Sequence, residues 1–457
     1  MNRVTKRTWL MSLFVLVLLG GMALFLWEYA TQAREWVVFT GSPHVYNGSN
    51  IGCGTIVDRS GITLLDITET RTYASDEATR KSTLHWLGDR KGYIQADAVS
   101  AYAAQMAGFD LVDGVYGASG TGGEAELSIS AKVQNTALQA MAGRKGTVAV
   151  YNYKTGEILC AVTTPTYDPD NVPDIHGDTS GKWDGVYLNR FVQSVYIPGS
   201  IFKTVTAAAA LECVPDILNQ SFTCTGKMEY GTEAVTCEGV HGTQNLKSAL
   251  ANSCNCAFAQ IAQMVGKENM KKYVEQFQIT HSLSFDGVTT AEGNYDISEA
   301  GAVSFAWSCI GQYTDQINAA RFMTYMGAIA AGGNAAQPSL VSRVTVEGKD
   351  TYLAEPKKTG RIMSEETADL LRSFMCSNVQ NVYGSWNFPG LTVGAKSGTS
   401  QLGGEQTSNA MFAGFVADEQ YPLAFICVVE NGGYGSSTCV PILSAVLAQC
   451  KAVMDAE

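Results

Sequence analysis

The longest apolar segment of the chain is an uninterrupted run from Trp9 to Trp27. A run of this length can cross the hydrocarbon core of a bilayer as one helix. Three basic residues precede it: Arg3, Lys6 and Arg7. Basic flanks stay on the cytoplasmic side, so residues 1–8 are predicted to be a cytoplasmic tail and residues 9–27 the anchor. Everything after Glu28 is then expected outside the plasma membrane.

A cleaved signal peptide is the alternative to this anchor. Ala33, after Thr31 and Gln32, is a possible cleavage position. The apolar run is longer than the hydrophobic core of a usual signal peptide, which favours the uncleaved anchor. No second run of this kind follows in the sequence. The pattern therefore predicts a single-pass protein with its bulk outside the membrane.

The pattern changes twice after the apolar run. Residues 28–145 mix short β-like runs, such as Gly54–Val57, with glycine-rich loops, which predicts a small α+β domain. From Gly146 onward, Thr147–Tyr151 and Ile158–Val162 flank a polar segment and predict a strand, a turn and a second strand. We expect one further domain over residues 146–457.

That second domain alternates helical and strand-like stretches. Helical patterns are followed by two apolar strand patterns and a last helix: Thr204–Leu211, Asn318–Ala331, Ala410–Ala417, Leu423–Val429 and Pro441–Met454. Strands at both ends of the domain with helices between them predict one sheet covered by helices. The fold class expected for the whole is α+β.

Composition supports a folded chain and excludes some functions. Of the 457 residues, 46% are hydrophobic and 16% are charged, which predicts a large buried core. The net charge of -12 argues against nucleic-acid binding, because phosphate contacts need clustered Lys and Arg. The five histidines show no metal-ligand spacing, and neither HExxH nor a paired CxxC occurs. No zinc site and no cofactor are therefore predicted.

Two of the twelve cysteines, Cys224 and Cys237, flank a glycine-containing segment that is typical of a hairpin. In an exported domain they can pair as a disulfide. They can equally be two buried thiols. The sequence leaves both alternatives open.

The first candidate for chemistry is Ser200, which follows Pro198-Gly199 and begins the Ala-rich helical stretch. Lys203 lies three residues later and therefore on the same helical face. A serine hydroxyl needs a base to become a nucleophile, and a lysine serves only if its pKa is lowered. By itself this pattern is also that of an ordinary helix-capping serine.

Two further motifs supply polar groups. Ser253-Cys254-Asn255 offers a hydroxyl and an amide, whereas the other Ser-x-Asn match, at Ser385, is expected on the surface. Lys-[Ser/Thr]-Gly occurs at Lys154, Lys358 and Lys396. Only Lys396-Ser397-Gly398-Thr399 follows an apolar lead-in and precedes another strand. A strand edge can pair with a peptide substrate, and Gly398 is expected to admit its backbone.

The ordered trio Ser-x-x-Lys, Ser-x-Asn and Lys-Ser-Gly resembles penicillin-binding proteins and serine β-lactamases. Other short segments resemble class B transpeptidases in particular: Lys154–Leu159, Tyr167–Pro169, His241-Gly242, Ile310–Gln312 and Ala413–Phe415. Tyr313–Gln316 departs from the usual family pattern. The resemblance implies an antiparallel sheet with an all-helical subdomain, preceded by a pedestal domain over residues 28–145.

The resemblance also implies an activity and residue roles. Ser200 is the implied nucleophile of a peptidoglycan D,D-transpeptidase, with Lys203 as its base. The other implied catalytic residues are Ser253, Asn255 and Lys396, and Ser397, Gly398 and Thr399 are implied to bind substrate. The expected ligands are stem peptides and β-lactams, and a membrane-embedded glycan polymerase is an expected partner. A carboxypeptidase or β-lactamase-type hydrolase, and a non-catalytic sensor or scaffold, remain alternatives.

Overall fold

The computed structural model describes residues 2–39, 42, 46–47, 50–108, 121–400 and 408–457. Up to residue 145 the elements are α1 (Asn2–Val37), β1 (Tyr46–Asn47), β2 (Asn50–Ile51), β3 (Thr55–Val57), β4 (Thr63–Asp66), β5 (Thr72–Tyr73), α2 (Glu77–Leu87), α3 (Asp97–Ser100), α4 (Ala103–Met106), β6 (Glu124–Leu127) and α5 (Ala131–Met141).

The next elements are β7 (Gly146–Asn152), β8 (Ile158–Thr164), α6 (Arg190–Gln193), β9 (Val195–Tyr196), α7 (Lys203–Cys213), β10 (Phe222–Cys224), β11 (Lys227–Tyr230), β12 (Glu233–Thr236), β13 (Gly242–Gln244), α8 (Leu246–Ala251), α9 (Asn255–Val265) and α10 (Lys267–Gln276). The last are β14 (Ser284–Phe285), β15 (Val288–Thr289), α11 (Ala302–Ser308), β16 (Ile317–Asn318), α12 (Ala319–Ala330), β17 (Val341–Val346), β18 (Lys349–Leu353), α13 (Glu365–Asn378), β19 (Val393–Ser400), β20 (Asn409–Val416), β21 (Leu423–Val429) and α14 (Gly435–Met454).

Helix α1 contains the predicted anchor. Its segment Arg3–Ala33 is long and apolar enough to cross a membrane. The apolar side chains from Trp9 to Trp27 are exposed to solvent and contact no core. Helix α14 is also long and apolar enough, but its Leu443 and Val446 are buried in the core beneath the second sheet. Only α1 is therefore a free apolar helix among the described residues.

The N-terminal region contains a six-stranded sheet in the order β18-β17-β6-β3-β4-β5. Strand β3 runs parallel to β6, and β6 pairs antiparallel with β17. Strands β17 and β18 come from beyond residue 146, so the two regions share this sheet. The predicted division at residues 145 and 146 stays a prediction.

The second sheet carries the candidate site and has five strands in the order β19-β20-β21-β7-β8, all antiparallel. Alternate side chains of β7 pack into two different hydrophobic cores, one on each face of the sheet. Val148 and Val150 belong to one core, and Ala149 and Tyr151 belong to the other. Because both faces are covered, the inner strands β20 and β21 are largely apolar rather than alternating. The predicted strands Thr147–Tyr151, Ile158–Val162 and Leu423–Val429 are confirmed.

Helices cover both faces of this sheet. Helices α5 and α14 lie on one face, and α12 and α13 on the other. The expected α+β class, with an antiparallel sheet covered by helices, is confirmed. The last helix begins at Gly435, six residues before the predicted start at Pro441. Proline is typical of a first helical turn, and the Gly-Ser-Ser stretch before it has low helix propensity, which explains the error.

The helical part between the strands holds the Ala-rich helix α7. Its residues from Lys203 to Ala210 are all buried. Small alanine side chains let α9, α10 and α13 approach this helix closely. Helix α7 is therefore a rigid, enclosed platform for whatever its first turn carries.

Candidate active site

Ser200 lies in one turn of 3-10 helix, Gly199–Phe202, that continues directly into α7. Gly199 has φ +56°, and a Cβ there would lie 2.7 Å from the Thr399 carbonyl oxygen. Its N–H donates to the Gly311 carbonyl at 2.8 Å. Only glycine fits this left-handed, crowded position. The turn is thereby held against strand β19, with Ser200 at the junction.

Lys203 lies next to Ser200 and is completely buried. Its Nζ is 3.0 Å from Ser200 Oγ and 2.6 Å from Asn255 Oδ1. It also lies 2.6 Å from the Ser253 carbonyl oxygen and 3.2 Å from Ser253 Oγ. Burial, and then the charge of Lys396, holds the pKa of Lys203 well below its ordinary value. A neutral amine at this position can accept the Ser200 proton.

Lys396 is a second completely buried lysine. Its Nζ donates to Ser253 Oγ at 3.0 Å and to the Ser397 carbonyl at 2.9 Å. Burial lowers the pKa of Lys396 to about 7, against an opposing contribution from the Glu238 carboxylate. Ser253 Oγ therefore connects the two lysines, which suits it to relay a proton.

Ser253 lies in the loop between α8 and α9, and Asn255 is the first residue of α9. Ser253 adopts a left-handed conformation, φ +52°, which costs a non-glycine residue about 1 kcal/mol or more. Asn255 is held by its Nδ2, which donates to the Thr236 carbonyl at 2.9 Å. Both side chains thus contact Lys203 Nζ. Other contacts must maintain the left-handed conformation of Ser253.

Strand β19 is an edge strand of the five-stranded sheet and carries Lys396, Ser397, Gly398 and Thr399. Gly398 also has a packing role, and its predicted contact with the substrate backbone stays a prediction. A Cβ there would lie 2.9 Å from the Pro198 carbonyl oxygen and 3.0 Å from the Ile201 side chain. Glycine is thus required for close packing of the strand against the nucleophile turn.

The other matches to the Lys-[Ser/Thr]-Gly and Ser-x-Asn motifs do not take part in this cluster. Lys154-Thr155-Gly156 forms the turn between β7 and β8. Lys358 is in an exposed extended segment, and Ser385–Asn387 is a surface turn whose Trp386 is 79% exposed. The structure thus brings together the Ser200, Ser253 and Lys396 motifs and leaves out the other matches.

Tyr383 belongs to the site, although the sequence analysis did not identify it. Its hydroxyl accepts from the Ser397 backbone N–H at 3.0 Å and lies 3.0 Å from Ser397 Oγ. It is also 3.5 Å from Lys396 Nζ. Tyr383 is the last residue of a π-helical turn, Val379–Tyr383, and no sequence pattern predicts such a turn. Its contacts fix the orientation of Ser397 and Lys396.

We expect Tyr383→Phe to lower the second-order rate of penicillin acylation about tenfold. The partly buried Ser397 N–H loses its acceptor, at about 1–3 kcal/mol, and Lys396 loses one of its contacts. Stopped-flow or gel-based labelling of the full-length protein measures this rate. Tyr93→Phe, at a residue 51% exposed and far from the site, is the matched control. Equal rates in both variants would remove Tyr383 from the site.

Asp315 is a buried carboxyl in the segment that departs from the family pattern. It is 0% exposed, and neither carboxylate oxygen has a hydrogen-bond partner within the described part of the chain. Burial raises the pKa of Asp315 well above its ordinary value. Burial therefore favours the neutral form of this carboxyl in the folded protein.

This pKa shift predicts a pH-dependent stability. The unfolded chain releases the Asp315 proton near pH 4 and the folded chain keeps it, so the wild type loses stability as pH rises. Asp315→Asn lacks this dependence, so its stability relative to wild type should increase as the pH rises from 5 to 7. Melting temperatures across this range test it, with exposed Asp350→Asn as the control. Parallel pH profiles for wild type and Asp315→Asn would contradict the prediction.

Close to the Ser253 loop, the structure gathers four side chains that the sequence did not connect. The ligand atoms of Cys224, Cys237, His241 and Cys254 all lie within 4.8 Å of one another. Cys224 and Cys237 are free thiols at the two ends of the predicted hairpin β11–β12, which is confirmed. Because these residues belong to separate elements, their spacing in the sequence does not indicate the cluster. The expectation that the chain has no zinc site stays a prediction.

The chain is similar to one described protein family and to several known proteins. The family model described as penicillin binding protein transpeptidase domain matches residues 146–448. Stage V sporulation protein D of Bacillus subtilis is 27% identical over 400 residues, which cover 82% of this chain and 58% of that protein. Peptidoglycan D,D-transpeptidase PbpA of Mycolicibacterium smegmatis is 26% identical, covering 75% of this chain and 76% of that protein.

Solved structures agree. The D,D-transpeptidase domain of a peptidoglycan glycosyltransferase from Eggerthella lenta aligns with a TM-score of 0.75 at 26% identity, covering 88% of this chain and 98% of that chain. The ceftriaxone acyl-enzyme complex of penicillin-binding protein A from M. tuberculosis aligns with a TM-score of 0.75 at 22% identity, covering 87% and 97%. At 22% identity, the second comparison shows only that the two chains share a fold.

Proposed function

The chain belongs to the penicillin-binding protein transpeptidase family, and on this premise we propose that it is a peptidoglycan D,D-transpeptidase acting through an acyl-enzyme on Ser200. One observation carries the assignment of the nucleophile. The completely buried Lys203 places its Nζ 3.0 Å from Ser200 Oγ, and burial lowers the pKa of this amine. A base of this kind next to a serine at a helix start is the minimum that acyl transfer requires.

In the acylation step, Lys203 takes the proton of Ser200 as Oγ attacks the carbonyl between the two terminal D-alanines of a stem peptide. The backbone N–H groups of Ser200 and Thr399 stabilise the oxyanion. The C–N bond then breaks, and the leaving D-alanine amine receives a proton through Ser253. The contacts of Ser253 with both lysines support this relay.

Substrate binding uses the edge of β19. Lys396 supplies positive charge close to the terminal carboxylate of the donor peptide, and Ser397 and Thr399 hydrogen-bond that carboxylate. Asn255 positions the donor chain. Gly398 contributes through packing, since it lets the strand approach the Ser200 turn.

In the second step, the amine of another stem peptide attacks the acyl-enzyme. It forms the crosslinking amide and loses one proton, and Ser200 Oγ recovers its proton as the C–O ester bond breaks. Hydrolysis by water gives carboxypeptidase or β-lactamase activity instead. A chain that binds β-lactams without turnover would be a sensor or scaffold.

We propose that α1 anchors the protein in the plasma membrane with Arg3, Lys6 and Arg7 in the cytoplasm and the catalytic region outside. The excess of basic residues on that flank supports this orientation. Alkaline phosphatase fused after Glu457 should be active, and fused after Met1 inactive. The reverse pattern would contradict the orientation.

A membrane-embedded glycan polymerase is the proposed partner, because crosslinking requires newly made strands beside the anchor. Co-purification of such a polymerase with the full-length protein, lost on exchange of α1 for an unrelated transmembrane helix, tests this. Equal recovery with either anchor would contradict an interaction through α1.

The reaction is tested on uncrosslinked peptidoglycan strands with the full-length protein in detergent. We expect released D-alanine together with crosslinked dimers, and neither product from Ser200→Ala. D-alanine without dimers would identify a carboxypeptidase, and steady turnover of a chromogenic β-lactam a β-lactamase. Neither product from the wild type would favour the sensor or scaffold.

A further inference from the structure

We propose that Cys224, Cys237, His241 and Cys254 bind one Zn²⁺ ion in a closed site beside the catalytic loop. The inference goes beyond the proposed acyl transfer and does not depend on it. Three thiols and one imidazole are a donor set typical of structural zinc. Soft sulfur donors also favour zinc over magnesium or calcium.

Three of the six distances between the donor atoms are close to those of a tetrahedral zinc site, and all six are within 4.8 Å. With Zn–S near 2.3 Å and Zn–N near 2.0–2.1 Å, tetrahedral angles place two sulfurs about 3.8 Å apart and sulfur and nitrogen about 3.6 Å apart. Cys237 Sγ lies 3.9 Å from Cys254 Sγ. His241 Nδ1 lies 3.6 Å from Cys224 Sγ and 3.5 Å from Cys237 Sγ. A metal at the centre therefore requires only small movements.

The donors come from four places in the chain. Cys224 ends β10, Cys237 follows β12, His241 precedes β13, and Cys254 precedes α9. Cys224 and Cys254 are buried, and Cys254 Sγ accepts the Ala257 N–H at 3.4 Å. A backbone N–H at a helix N-terminus stabilises a thiolate. Four protein donors leave no open position, so the site is structural rather than catalytic.

The site is directly connected to the catalytic loop. Cys254 lies between Ser253 and Asn255, whose side chains contact Lys203. Cys237 follows Thr236, whose carbonyl holds the Asn255 amide. A metal bridging Cys237 and Cys254 would hold together the two segments that orient this amide and would stabilise the left-handed Ser253. We infer that the ion positions the Ser-x-Asn motif.

Metal analysis of the full-length protein tests the proposal. The protein is purified in detergent through an affinity tag without histidines, and zinc is measured by inductively coupled plasma mass spectrometry. We expect about one zinc per chain, and below about 0.1 in Cys224→Ser and His241→Ala. Cys213→Ser, at a half-buried thiol outside the cluster, should retain the metal.

A second measurement uses only the wild type, so it tests the site even if the variants fail to fold. Chelation of the wild type followed by Co²⁺ addition should give the sulfur-to-cobalt absorption and intense visible bands of a tetrahedral thiolate site. Penicillin labelling should slow about tenfold or more on chelation and recover with Zn²⁺. The cobalt spectrum reports the site even where labelling fails.

Ser200→Ala should bind zinc with unchanged stoichiometry. The metal analysis therefore tests the zinc proposal separately from the proposed acyl-enzyme. Wild-type protein without metal, and without a cobalt spectrum after reduction, would overturn the proposal. A native disulfide between Cys237 and Cys254, detected as a loss of two mass units, would overturn it as well.

Discussion

Ser200→Ala should abolish covalent labelling by a fluorescent penicillin, with a loss of about 10⁶-fold in acylation rate. Alanine removes the only atom that forms the ester bond, whereas the backbone of the Gly199–Phe202 turn is unchanged. Labelling of the full-length protein, followed by gel fluorescence over minutes to hours, measures the loss. The melting temperature should stay close to that of the wild type, because Ser200 Oγ is partly exposed.

Ser385→Ala is the matched control for this variant. It removes an exposed hydroxyl from the other Ser-x-Asn match, on a surface turn next to Tyr383. Labelling of Ser385→Ala should equal that of the wild type. Persistent labelling of Ser200→Ala would place the reactive group elsewhere.

Lys203→Met should lower the acylation rate by about 10²–10⁴-fold, the usual contribution of a positioned general base. Methionine keeps much of the volume inside the buried site but cannot accept the Ser200 proton. The effect is measured as the second-order rate constant with penicillin. Lys132→Met, at an exposed position on α5, should label at the wild-type rate.

The pH dependence separates a base from a merely structural lysine. An ordinary lysine, with a pKa near 10.5, is protonated and inactive as a base at neutral pH. Because burial lowers the pKa of Lys203, the wild type should acylate well at pH 7 and lose rate as acid protonates the amine. The residual rate of Lys203→Met should lack this acid limb. An identical acid limb in the variant would assign the titration to another group.

Much of the site was predictable because its spacing is local. Ser200 and Lys203 lie one helical turn apart, so the sequence alone places both on one face of α7. Among the three Lys-[Ser/Thr]-Gly matches, only the copy at Lys396 follows an apolar segment, and that segment predicts a buried strand. Helix α7 and strand β21 were predicted for the same reason, since apolar periodicity dominates buried elements.

The remainder depends on tertiary packing. Tyr383 contacts Ser397 only because a π-helical turn brings it under β19. The packing role of Gly398 was not predicted: its missing side chain makes room for Pro198 and Ile201, which are remote from it in sequence. The cysteine and histidine cluster is assembled from four elements, so sequence spacing carries no signal of it.

The most direct test of the acyl-enzyme is the position of the β-lactam adduct in the wild-type protein. Ser200 Oγ and Ser253 Oγ lie 3.0 and 3.2 Å from the same Lys203 Nζ, so geometry around the lysine alone does not choose between them. Both serines lie close to a helix start, but the first-turn N–H of Ala257 in α9 already donates to Cys254 Sγ. We therefore expect the N–H groups at the start of α7, beside Ser200, to stabilise the oxyanion. Peptide mass spectrometry after penicillin treatment should find one adduct per chain, on the peptide that contains Ser200. An adduct on Ser253, or no adduct at all, would contradict the account.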